Sequence, residues 1–192
     1  MRLRLMRRRE VAAAARREME AFYAAGRCGE SPIEAMCLFW AFFTVRACRR
    51  AGLPAQLQAG TAYWPTGPVN DGEESGPNVF GYEWDPGDPL TRAFLMRGQL
   101  PEMHCWAAVA GEPPEIIDLT ARFFHARAAA CGLEIRCPPP PEFFWHEGPE
   151  LPPGVVYLAD MEATHIAYQF LHAAVREAPL VVALPAAGRL PS

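Results

Sequence analysis

The stretch Ser31-Pro-Ile-Glu-Ala-Met-Cys-Leu-Phe-Trp-Ala-Phe-Phe-Thr-Val-Arg-Ala-Cys-Arg-Arg50, closed by Ala51-Gly-Leu-Pro54, decides the architecture. Ser31 reads as an N-cap, Pro32 as a first-turn proline and Glu34 as the second half of a capping box. They predict a helix to about Arg50, stopped by Gly52 and Pro54. Ala35 to Val45 is apolar but for Thr44, so this helix is expected to be buried on most sides. The run is too short to span a bilayer.

Before it, Arg7 to Ala25 carries Val11, Ala15, Met19 and Phe22 at helical spacing and ends at Gly26, which predicts a first helix. After it, Ala55 to Trp64 alternates Leu57, Ala59, Thr61 and Tyr63 with Gln56 and Gln58, a strand with one wet face. Residues 65–88 are crowded with Pro, Gly, Asn and Asp and predict a long loop, with a short helix near Leu90–Met96. Met103–Ala110 and Glu115–Leu119 read as strands around Gly111-Glu-Pro-Pro114. Further on, a helix over Thr120–Ala130, a strand at Leu133–Arg136, a stiff Pro138–Pro141 spacer, a strand at Val155–Leu158, a helix over Met161–Arg176 and a strand at Leu180–Leu184 are expected. Helices followed by local antiparallel strands make the fold class α+β. The 192 residues suit one domain: an N-terminal helix (1–26), a core (31–122) holding a cleft-bordering insertion (65–100), and a C-terminal extension (133–192).

Composition removes several functions. All 18 basic residues are Arg, which excludes Schiff-base and P-loop lysines. The net charge of −4 offers no overall basic field for nucleic acid. The seven Arg of residues 1–20 read as a solvated helical face, because no apolar signal-peptide core follows them. Six cysteines with neither an export signal nor a Cys-x-x-Cys predict reduced thiols in the cytoplasm and no structural zinc. No cofactor, metal, nucleic-acid or membrane partner is expected.

Three residues combine into a possible reacting group: Cys37 on the buried helix, His104 at the start of one strand and Asp118 at the end of the next. A nucleophilic thiol needs a base within reach, and the base needs a third group to orient it. A turn centred on Gly111 pairs 104 with 118 and 106 with 116, which sets His104 beside Asp118 on one face. Capped by Ser31, the helix places Cys37 in its second turn. If Ser31–Met36 forms a separate turn, Cys37 instead opens the helix, where the macrodipole favours a thiolate.

These residues resemble the transglutaminase-like superfamily. The matching pieces are Cys37-Leu-Phe-Trp-Ala41, Arg49-Arg50-Ala-Gly-Leu-Pro-Ala55 with Gly60-Thr-Ala-Tyr63, His104-Cys-Trp106 and Asp118-Leu-Thr120. In that family the Cys lies fifteen residues before a Gly-Ile-Pro-Ala-Arg type turn, as Cys37 does before Gly52; Gln56 replaces the usual Arg. The resemblance implies a papain-like core, a Cys helix packed on an antiparallel sheet. It also implies a Cys37–His104–Asp118 triad acting on an amide or peptide substrate through an acyl-enzyme. The Cys37 N–H and one amide side chain, among Gln99, Asn70 and Asn78, would then hold the oxyanion. Some members have lost catalysis, so a binding or scaffold protein is the alternative.

Other candidates are weaker. Asp160, Glu162 and His165 suggest a metal cluster, but Asp160 serves better as a helix cap. Cys28, Cys48, Cys105, Cys131 and Cys137 lack a base at a telling spacing and read as structural, and Asp118 itself doubles as a cap for the segment at Thr120.

Overall fold

The computed structural model describes residues 2–27, 31–67 and 78–177. The chain is α+β: helices surround a curled, antiparallel six-stranded sheet. Helix α1 (Arg2–Ala24) packs on α2 (Cys37–Arg50), and strands β1 (Ala55–Pro65) and β2 (Val79–Tyr82) precede α3 (Pro89–Met96). Then come β3 (His104–Val109), β4 (Glu115–Asp118), α4 (Phe124–Ala130), β5 (Phe144–His146), β6 (Val156–Ala159) and α5 (Met161–Glu177). The strand order is β2-β1-β3-β4-β5, and β6 also pairs with β1.

Strand alternation divides the interior in two. Ala55, Leu57 and Ala59 of β1 join Cys105, Ala107 and Val109 of β3 and Ile117 of β4 against α1, α2 and α5. The opposite face sends Ala62, Trp64, Trp106, Tyr157 and Phe144 into a second core, closed by Phe124. His104 and Asp118 lie at 1% and 2% exposure. Val11, Ala15 and Met19 are buried under α1, as their spacing predicts.

Four local expectations are corrected. First, Ser31 does not cap α2. A 3-10 turn, Ile33–Ala35, precedes it, and the helix begins at Cys37. The carbonyl of Ile33, which a continuous helix would offer to the Cys37 N–H, accepts instead from Met36 N–H (3.3 Å) and from the Trp40 indole (3.0 Å).

Second, the β3–β4 register pairs Ala107 with Ile117 and Val109 with Glu115, two residues away from the expected pairing. The expected register would set Pro113 and Pro114 in the ladder, where they have no N–H to give; the observed one leaves both in the loop. A two-residue shift preserves the face, so His104 and Asp118 still meet, as diagonal neighbours.

Third, the segment 65–88 contains β2, whose four residues with Gly81 among them show no readable period. Fourth, Leu133–Arg136 is irregular, while Phe144–His146 forms the edge strand β5. The Thr120–Ala130 helix splits into a 3-10 turn (Ala121–Phe123) and α4. The strand expected at Leu180–Leu184 and Cys28 lie outside the described residues.

Arg7, Arg8 and Arg16 are not merely solvated. They reach Ala51 O, Glu147 and Glu142 and tie α1 to the rest of the chain. Asp160 Oδ1 accepts from Ala163 N–H at 2.9 Å, the cap its position suggested.

Gly60 is the tightest point of the sheet. It pairs with both His104 and Ala159 at φ +154°, and a Cβ there would overlap the carbonyl oxygen of Leu158. Gly60→Ala should therefore lower stability by about 2–4 kcal/mol, read as a fall in the urea midpoint followed by tryptophan fluorescence.

Candidate functional site

Cys37 and His104 line one cleft of about 620 Å³, bounded by Met36–Phe39, Phe80–Tyr82, Leu100–His104, Thr120 and Phe123–Phe124, while Asp118 lies buried behind it and is not part of its wall. Phe80, Tyr82 and Phe94 of the 65–100 insertion form part of its wall. β2 and β3 meet β1 along consecutive stretches, 62–65 and 55–60, which brings Tyr82 beside His104. The two rings stack at 5.5 Å and 12°.

His104 Nε2 donates to Asp118 Oδ2 at 2.8 Å. The other ring nitrogen, Nδ1, is buried without a hydrogen-bond partner among the described residues. Asp118 is fully satisfied: Tyr157 OH donates to Oδ2 at 2.6 Å, and the Thr120 N–H and hydroxyl each donate to Oδ1 at 2.6 Å. Tyr157 OH in turn accepts from Trp64 Nε1 at 3.0 Å. Asp118 thus both orients His104 and holds the turn at Thr120, so the cap and the orienter readings describe one carboxylate.

Cys37 Sγ lies 3.9 Å from the carbonyl of Met103, the residue before His104. Cys37 is less buried than His104, because Cys37 opens a helix at the cleft while aromatic rings enclose His104. No side chain caps α2, and no backbone carbonyl among the described residues accepts from the N–H of Cys37 or Leu38. The positive end of the helix is therefore open at the thiol.

The neighbouring Cys105 thiol, working against burial, and then His104 and its charge hold the Cys37 thiol well below the ordinary range. Burial disfavours a charge on His104, but the charge and hydrogen bond of Asp118 outweigh it, helped by Cys37, and push its pKa up to about 10. Burial opposes the Asp118 charge too, yet His104, Thr120 and Tyr157 keep this carboxyl below its usual value. The three shifts all favour the charged forms of these groups.

Sequence reasoning missed Tyr157, Tyr82 and the role of Cys105. Tyr157 enters only through the β1–β6 pairing, for which a local pattern carries no signal. Cys105 was visible in the His-x-Trp piece as the residue beside His104. Gln99 is exposed, neither it nor Asn78 lines the cleft, and Asn70 lies outside the described residues. His125 and Cys137 meet at 3.5 Å, but both are turned to the carbonyl of Pro65. Among the described residues no group of three or more His, Cys, Asp or Glu could hold a metal ion, and no helix is long and apolar enough to cross a membrane.

Comparisons of the chain with protein-family models, with curated proteins and with solved structures found no match.

The linkage has a definite sign. His104 has a raised pKa, so its stabilisation is complete below about 6.5 and is lost as pH rises through about 10. Asp118 has a lowered pKa, so its stabilisation is present above about 4 and lost as pH falls further. Each tenfold change in proton affinity corresponds to about 1.4 kcal/mol. Urea unfolding in a Cys37→Ser background, which removes the thiolate's opposite linkage, should show both declines. Asp118→Asn in that background should flatten both.

Proposed function

We propose that the chain is a cysteine-dependent acyl-transfer enzyme of papain-like, transglutaminase-like type that hydrolyses an amide or peptide bond. The single observation carrying this reading is the buried His104–Asp118 pair, which leaves Nδ1 unpartnered on a ring that lines the same cleft as a thiol at an open helix N-terminus. A buried ion pair is costly to assemble and is not needed to fill a core, whereas a base oriented by a carboxylate is what a thiol nucleophile requires. The resemblance of residues 31–122 supports the same reading.

In the proposed mechanism the Cys37 thiolate attacks the carbonyl carbon. A C–S bond forms and the carbonyl π electrons move to oxygen. The N–H groups of Cys37 and Leu38 receive that oxyanion. His104 then gives its Nδ1 proton to the leaving nitrogen as the C–N bond breaks, which leaves a thioester on Cys37. Water, deprotonated by His104, attacks the thioester and releases the acid and the thiolate. An amine in place of water would give transfer. The free thiols fit a reducing cytoplasm.

A binding protein that keeps the fold would need no thiolate, and thiol reactivity separates the two. Iodoacetamide at about pH 6, well below the ordinary thiol pKa of roughly 8.5, should alkylate Cys37 ahead of Cys131 and Cys137. Labelling of Cys37 no faster than theirs overturns the enzymatic reading. An acyl-amide library turned over by wild type but not by Cys37→Ala would give the substrate, and Asp118→Asn should slow that turnover by about 10²–10⁴ while the fold persists.

A further inference from the structure

The wall of the cleft is mostly aromatic and aliphatic: Phe80, Tyr82, Phe94, Phe123, Phe124 and Leu100. Into it α4 sends one cation, Arg127. Its Nε is buried with no hydrogen-bond partner, and no carboxylate among the described residues lies within ion-pair distance of its guanidinium. Glu34 and Glu102 also border the cleft; Glu102 is exposed and Glu34 is half-buried.

A guanidinium is always charged and presents donors in a planar fork that matches a carboxylate. Half-buried in an apolar wall with one donor unused, it is a poor filler and a good anchor. Burial pushes the Tyr82 phenol up, the charge of Cys37 adds to this and Arg127 opposes it. The tyrosine ring lies flat on His104, and Cys37, Tyr82 and Arg127 line the same cleft.

We infer that Arg127 is a specificity-determining residue, and that the cleft takes amides carrying a carboxylate on an aromatic or apolar scaffold. This rests on the proposed reading of Cys37 as the nucleophile.

The test uses two alkylating probes, N-phenyliodoacetamide and its 4-carboxy derivative. With each, the Cys37 thiolate forms a C–S bond to the methylene carbon and iodide leaves with the C–I electrons. Wild type should bind the carboxy probe more tightly before alkylation. Arg127→Gln should raise the half-saturating concentration of that probe about tenfold with its limiting rate unchanged, and leave the neutral probe unaffected. Arg127→Lys should recover part of the loss. An equal loss with both probes, or none with either, overturns the inference.

Acetanilide and 4-acetamidobenzoate, which cannot react, separate this failure from that of the nucleophile. Calorimetric binding of 4-acetamidobenzoate that is weakened in Arg127→Gln upholds the subsite even where Cys37 proves unreactive. Equal binding of the two compounds, or of the carboxylate by both variants, refutes it.

Discussion

A carboxylate taken almost wholly out of water must be matched bond for bond, and Asp118 is such a group. Its four hydrogen bonds come from three places: His104 on β3, Thr120 just beyond β4 and Tyr157 on β6. Because Tyr157 is itself held by Trp64 on β1, the carboxylate links four strands of the sheet through side chains alone. Much of the second core follows from this. Phe124, Phe144 and Trp106 surround His104 and Tyr157 with rings, which exclude water and so strengthen every bond to the charge.

The two cysteines of α2 show how position along one helix decides thiol chemistry. Cys48, in the last turns, has burial against it and Glu115 nearby, and its pKa is pushed up to about 12. Cys37, at the first position, has free N–H groups, His104 and the Cys105 thiol, and burial is overcome. Composition and hydropathy treat the two residues alike. The difference is the helix end and the imidazole, and both are tertiary facts.

The parts of this arrangement that sequence could reveal are those set by neighbours in the chain. The apolar run of α2 and the side-by-side placement of His104 and Asp118 are local, and the placement survived a register error because two residues restore the face; the strand β1 was legible too, but not that its expected wet face is buried at Ala62 and Trp64. The prolines at 113 and 114 held the information that corrects that register, through the N–H groups they lack. Tyr157 was beyond reach: it meets Asp118 only because β6 returns to β1 after 90 residues of intervening chain, at a pairing such as Ala62 with Tyr157. Strand β2 was hidden by Gly81, which weakens a strand pattern yet is required here, since a Cβ would overlap Ala62 O.

The start of α2 is where local and tertiary preferences conflict, and the outcome makes the site. Ser31, Pro32 and Glu34 together favour one continuous helix, in which the Cys37 N–H would be spent on Ile33 O. The Trp40 indole is buried and must find an acceptor. It finds Ile33 O, and with Met36 N–H it saturates that carbonyl. The helix is thereby cut at Met36, and the N–H of Cys37 is left without a backbone acceptor among the described residues. One buried indole, three residues past the thiol, thus turns a second-turn cysteine into the first residue of a helix, with the helix dipole directed at its sulfur.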